Sequence, residues 1–152
     1  MVSHKVHGIE VAAVEAAIRV AEQRTSGEIR VAVARFYFWG DVRRAARHAF
    51  ARLRMARTRR RNGVLVFVAP RRRQIVIVAD VGLDERVGVA FWREVVEGMT
   101  ARAKRGELTG GLVEGIASIG GALATACPAE PSSDANELPD TVAVIGQEPK
   151  PH

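Results

Sequence analysis

Two unbroken apolar runs, residues 64–69 and 75–79, lie close together within 61–80, with a short Pro-Arg-Arg-Arg connection between them. Continuous apolarity on both sides of a turn predicts two central strands buried on both faces and joined as a tight hairpin. Closing the hairpin brings its open ends together, so Asn62 and Gly63 are expected beside Asp80 and Gly82, and any chemistry is expected there. Upstream, Val11, Val14, Ile18 and Ala21 recur at helical spacing with Glu15, Arg19 and Glu22 opposite. That pattern predicts an amphipathic helix over about residues 9–24, stopped by Thr25-Ser26-Gly27 as a C-terminal breaker. Ile29, Val31 and Val33 then alternate with Arg30, Ala32 and Ala34 as a first strand. It runs into Phe36-Tyr37-Phe38-Trp39, read as a lid over one end of the sheet or a contact surface.

Asp41 can cap a second helix, in which Val42, Ala46, Ala49, Phe50, Leu53 and Ala56 keep helical period while arginines cover the rest. Such arginines bury their stems and keep their heads wet. After the hairpin, Val87, Phe91, Val95, Val96 and Met99 mark a third helix of about residues 84–104. A fourth, of about residues 107–124, carries Gly110, Gly111, Gly115, Gly120 and Gly121, which are read as close helix packing or weak helix stability. Five of the six prolines fall from Pro128 onward, so residues 128–152 read as an extended or disordered tail. Within it, 142–145 is a short strand or docking segment, with docking placed within 136–145.

The order helix–strand–helix–strand–strand–helix–helix predicts an α/β fold over residues 1–127. Its core is a mixed β-sheet with a parallel, right-handed βαβ crossover and a central β-hairpin, flanked by about four helices. In this topology Glu28 starts the first strand, Asn62 starts the second and Asp80 ends the third. All three fall on one edge of the sheet, where Arg57 and Thr58 arrive from the second helix.

Composition narrows the classes. With 152 residues, 47% of them apolar, the chain can bury a core without staples. A single cysteine, Cys127, rules out an intrachain disulfide framework. Charges interrupt the N-terminal apolar pattern, and no stretch approaches 18 consecutive apolar residues, so neither a secretory signal nor a membrane span is expected, and the cytoplasm is the expected location. The net charge of +6 is uneven: positions 41–61 hold nine arginines and one acid. This basic face can meet nucleic acid, an anionic surface or an anionic protein partner, or it reflects an arginine-rich composition that merely covers solvated helix faces. No helix-turn-helix, zinc-finger or RNA-stacking signature accompanies it, which favours the solvated face; where the face has a partner, a protein is expected ahead of nucleic acid.

Asp80 is the leading candidate site residue, because a carboxylate directly after a buried strand is costly to leave unpaired. It either caps the following helix or holds a cation or substrate. Asp84, four residues on, adds further oxygens or acts as a helix N-cap. Glu28 either ligates or pairs with Arg57 or Arg59, and Asn62 before Gly63 is a turn signal that can also donate an oxygen. Calcium takes six to eight oxygen ligands. Asp80, Asp84, Glu28 and Asn62 could assemble such a Ca²⁺ or Mg²⁺ site with backbone carbonyls and water. Thr58 has no histidine partner to make it a nucleophile, Cys127 reads as a packing or spare thiol, and the four scattered histidines have no transition-metal spacing.

The motifs TSGEI (25–29), TRRRNGVLVFVA (58–69), IVADVGL (77–83), Trp92, GLVEGIASIGGAL (111–123) and NELPD (136–140) resemble the TPM domain family in order and spacing, over about residues 8–140. The closest likeness is to its short, stand-alone bacterial branch. Members are described variously as acid phosphatases, photosystem II repair factors, divalent-cation binders with calcium prominent, and membrane-tethered proteins. The resemblance therefore implies a cation-binding or protein-interaction module, or else metal-assisted phosphomonoester hydrolysis. In the latter, Asp80 and Asp84 would hold the metal and Arg57 or Arg59 would clamp phosphate. The chain departs from its branch at Ala56 and Asp84, where histidines are common, at Cys127 in place of phenylalanine, and at the basic turn 70–73. The first two changes favour a hard cation over zinc.

Overall fold

The computed structural model describes residues 5–35, 40–57, 61–129 and 141–145, apart from the side chain of Arg57. From the N-terminus, β1 (Lys5–Val6) and β2 (Ile9–Glu10) form a small antiparallel ladder that leads directly into α1 (Val11–Glu22). The buried face of α1 is Val11, Val14, Ile18 and Ala21, the four positions that set its period. β3 (Glu28–Ala34) follows, then α2 (Val42–Arg52), where the Asp41 carboxylate accepts the Arg43 N–H at 3.0 Å. A 3₁₀ turn, Met55–Arg57, precedes β4 (Gly63–Ala69), and a second, Pro70–Arg72, closes the hairpin to β5 (Gln74–Ala79). The remaining elements are α3 (Val81–Val87), α4 (Val89–Lys104), α5 (Leu108–Ala126) and β6 (Ala143–Ile145).

The sheet order is β5-β4-β3-β6. β3 and β4 run parallel through the α2 crossover, β5 returns antiparallel, and β6 adds a parallel strand at the far edge. The mixed α/β architecture is thus the one the hydrophobic pattern predicts. Every residue of β4 is buried, as befits a central strand covered on both faces. Val64, Val66 and Val68 face the core built by α1, α4 and α5, whereas Leu65, Phe67 and Ala69 pack against α2 and Met55.

Three boundaries differ from the expected ones. The third helix is two helices, broken at Gly88, whose φ of 94° no L side chain adopts comfortably. It begins at Val81 rather than 84, with Asp80 as its N-cap, so Asp84 lies inside α3 and is not a cap. The second helix ends at Arg52, and Arg54 turns left-handed (φ 57°) before the 3₁₀ turn, which leaves Ala56 exposed and off the apolar stripe. Gly27 is needed for space instead of for a left-handed C-cap: a Cβ there would lie 2.9 Å from Leu123 Cδ1. The aromatic segment 36–39, the residues 58–60 and the stretches 130–140 and 146–152 lie outside the described residues.

The glycines of α5 split by role. Gly120 faces Ala21 and Gly115 faces Met99, each too close for an added Cβ, so here the sequence uses glycine to bring helices together. By length and composition α5 could cross a bilayer. In this fold it is a core helix, with Leu112, Ile116, Ile119 and Leu123 fully buried.

Candidate functional site at the sheet edge

Two registers, one parallel and one antiparallel, build the site. Glu28 lies opposite Gly63 in the parallel pair. On the other side, the Asp80 N–H donates to the Gly63 carbonyl at 2.9 Å, extending the register in which Val64 faces Ala79. Glu28, Gly63 and Asp80 therefore form one row across three strands, and residues in such a row share a face of the sheet. That face is the α2 side. A Cβ on Gly63 would stand 2.9 Å from the Met55 carbonyl oxygen, so Met55 is laid directly over the middle of the row. Two carboxylates, 6% and 3% exposed, thus flank a backbone carbonyl in a buried setting.

Asp80 performs two structural tasks at once. Its Oδ1 accepts the Val81 N–H at 2.7 Å and so caps α3. Arg61 Nε reaches both oxygens, at 3.2 and 3.0 Å. The pair is asymmetric, since the Asp80 side chain is 2% exposed and that of Arg61 52%. The hydrogen bond and the charge of Asp80 hold the Arg61 guanidinium still more firmly protonated than usual. Arg30, two residues beyond Glu28 on the same face, has its Nε buried without a hydrogen-bond partner among the described residues. Desolvation pulls its pKa down.

The other predicted residues separate. Asn62 is buried, but its amide donates to the Ser26 carbonyl at 2.9 Å, away from the row. It borders a cavity of about 420 Å³ that Gly82, Arg86 and Cys127 also line. The Cys127 thiol sits 3.3 Å from Thr25 Oγ1 and is buried against that hydroxyl. Asp84 is exposed and lines a different groove, beside β5. His7 lies in the β1–β2 turn and His48 is exposed on α2. Thr58, Arg59 and the side chain of Arg57 are outside the described residues. Among the described residues, no three His, Cys, Asp or Glu side chains gather to hold a metal ion.

Two members of the site escaped the sequence reading. Arg61 was adjacent to Asn62 in sequence, and the hairpin closure that brought Asn62 to Asp80 carried it there as well. The Met55 carbonyl had no signal, because backbone donors are set by the path of the turn and not by residue type.

The donor set is one of hard oxygens, two carboxylates and a carbonyl, which suits calcium or magnesium and not zinc. These three groups fall short of the six to eight oxygens of a calcium sphere. The remainder would come from water and neighbouring carbonyls, and the Arg61 guanidinium now occupies the place of positive charge beside Asp80.

The TPM domain matches residues 7–122. The NMR structure of BA42 protein from the psychrophilic bacterium Bizionia argentinensis is 37% identical, covers 89% of this chain and 92% of its own, and superposes with a TM-score of 0.81. The NMR structure of the N-terminal domain of cg2496 protein from Corynebacterium glutamicum shares the fold at 13% identity, with a TM-score of 0.58 over 93% of this chain and 80% of that one. No curated protein matches the sequence. Motif order, register and family match converge: the chain belongs to the TPM domain family.

Proposed function

We propose that this TPM domain is a binding module that takes a divalent cation of the calcium or magnesium class at the Glu28–Met55–Asp80 row, in competition with Arg61. One observation carries the reading: two buried acidic residues share a row over whose centre a backbone carbonyl lies, and among the described residues the cation paired with Asp80 is a half-exposed arginine. A buried carboxylate left alone is expensive, so some cation must stay with Asp80. Arg61 supplies it from the solvent side and can swing out without unpacking the core. A divalent ion would bind the same oxygens while leaving the Val81 N–H bond intact.

Metal-assisted hydrolysis has less support. Asp84 is exposed and lies off the row, beside β5. A hydrolase also needs a nucleophile or base within hydrogen-bond reach of the substrate, and Cys127 is turned into Thr25.

Thermal melting of the wild type, Asp80→Asn and Arg61→Gln with Ca²⁺, Mg²⁺ and Zn²⁺ tests the proposal. Asparagine is also a good N-cap, so Asp80→Asn keeps α3 while removing the charge. The wild type should show a saturable shift with Ca²⁺ or Mg²⁺, worth about 2.7 kcal/mol at a hundredfold excess over Kd. Arg61→Gln should reach saturation at lower metal concentration, and Asp80→Asn should not respond. A flat melting temperature for every ion in both wild type and Arg61→Gln would overturn it.

A further inference from the structure

Among the described residues, the outer edge of the sheet at β5 carries none of the usual protection of an edge strand. Its six residues, Gln-Ile-Val-Ile-Val-Ala, include no charge and no proline, and no strand lies beyond it among the described residues. Natural sheets blunt such edges with charges, prolines, bulges or a covering element, because the free N–H and C=O groups template further pairing. The hydrogen-bond phase identifies the free groups. The Asp80 N–H bonds directly to the opposite Gly63 carbonyl. In an antiparallel ladder, bonded pairs alternate, so Val78 and Val76 also bond inward to β4. The N–H and C=O of Ile75, Ile77 and Ala79 therefore point outward.

These groups open into a groove of about 640 Å³ between α2 and α4. The two walls differ in chemistry. On the α2 side, next to Val76 and Val78, stand Arg43 and Arg47, both exposed, and α2 carries no acidic residue. On the α4 side, next to Ile75, Ile77 and Ala79, stand Val89 (67% exposed), Trp92 and Val96, with Arg93 and Glu97 farther along the same helix. The Trp92 indole Nε1 itself is buried, with no hydrogen-bond partner among the described residues. Asp84 contributes one carboxylate at the Ala79 end.

We propose that the β5 edge is a strand-addition site for an extended peptide of a protein partner in which acidic and apolar residues alternate. An added strand points successive side chains to opposite faces, so one set would meet Arg43 and Arg47 while the other packs on Val89, Trp92 and Val96. Main-chain bonds to Ile75, Ile77 and Ala79 give affinity, and the two walls give specificity. A second copy of this chain fits less well. Antiparallel β5–β5 pairing would lay two α2 helices side by side, arginine face against arginine face. The site is independent of the carboxylate row.

The test titrates ¹⁵N-labelled full-length protein with acetyl-Asp-Val-Asp-Ile-Asp-Val-Asp-amide, and with the same peptide carrying lysine for aspartate. The acidic peptide should shift the amides of Ile75, Ile77 and Ala79 and slow their hydrogen exchange, and the lysine peptide should not. Joint substitution Arg43→Glu and Arg47→Glu, at exposed positions that leave the core alone, should weaken binding about tenfold or more. Ile77→Pro should abolish it while preserving the ladder to β4, since only an outward N–H is lost. The chelator-treated protein and Asp80→Asn should still bind, which separates this site from the cation site. Binding equal for both peptides, shifts that fall outside β5, or concentration-dependent dimerisation through β5 without peptide binding would each refute the proposal.

Discussion

At Gly63, one methyl group would reach within 2.9 Å of the Met55 carbonyl oxygen, a backbone atom that cannot rotate away. Gly63→Ala is therefore expected to cost about 1–3 kcal/mol, the usual range for overpacking a tight site. It should appear as a lower denaturant midpoint with an unchanged m-value. A near-neutral result would mean that the 3₁₀ turn yields and that the Met55 carbonyl is not fixed over the row. His7 offers a second residue-level test. Although His7 is exposed, slight desolvation and then the charges of Arg71 and Arg35 pull its pKa below the ordinary value of 6.5. The unfolded chain then binds the proton more readily, so stability rises with pH in that window. The contribution is complete above about pH 6.5 and is lost as pH falls through the depressed native value. Melting temperatures from pH 8 to 5 should thus fall more steeply for wild type than for His7→Gln. Parallel curves would show that the imidazole is not held off protonation.

Among the elements, α5 shows how far a sequence can be read. Its glycines announced either close packing or a weak helix, and the choice required the neighbour at each position. An added Cβ would meet Ala21 Cβ at 2.7 Å from Gly120, yet nothing within 4 Å from Gly121. Adjacent glycines should accordingly respond in opposite directions. Gly121→Ala should stabilise by about 0.5–1 kcal/mol through helix propensity alone. Gly120→Ala should destabilise by about 1–2 kcal/mol as α1 and α5 are forced apart. Equilibrium unfolding of the two variants decides it, and equal effects would sink the close-packing account. The split of the third helix at Gly88 was illegible for a related reason. Apolar period continues across the break, and only the backbone at φ 94° interrupts it. By contrast the hairpin was plain, because a buried strand on each side of a four-residue basic turn has few other ways to fold. The turn sets the β4–β5 register that puts Asp80 opposite Gly63, while Glu28 reaches the same row through the parallel pairing of β3 with β4.

Across the whole molecule, the sheet is legible from local pattern except where distant chain returns to it. β6 is three residues long, and its only sequence mark was a short apolar patch amid prolines. It nevertheless pairs Ala143, Val144 and Ile145 with Ala32, Val33 and Ala34, and the Arg35 N–H donates to the Ile145 carbonyl at 3.0 Å. Glu15 on α1 accepts the Val142 N–H at 3.0 Å, tying the same segment to the opposite layer. The two edges of the sheet are thus treated differently among the described residues: β3 is covered by the chain's own C-terminal segment, and no strand covers β5 beside its arginine wall. If β6 serves as cover, deleting residues 130–152 should lower stability by about 1–3 kcal/mol. Amide protection should fall selectively at Arg35 and along the outer side of β3, with β4 and β5 unaffected. The deletion should also expose a second free edge, so the truncated chain should self-associate at concentrations where the full chain does not. Hydrogen exchange and sedimentation on the two lengths measure both effects. Unchanged protection at Arg35 would show that β6 adds nothing to the sheet, and self-association without loss of protection would place the new contact elsewhere than the uncovered β3 edge.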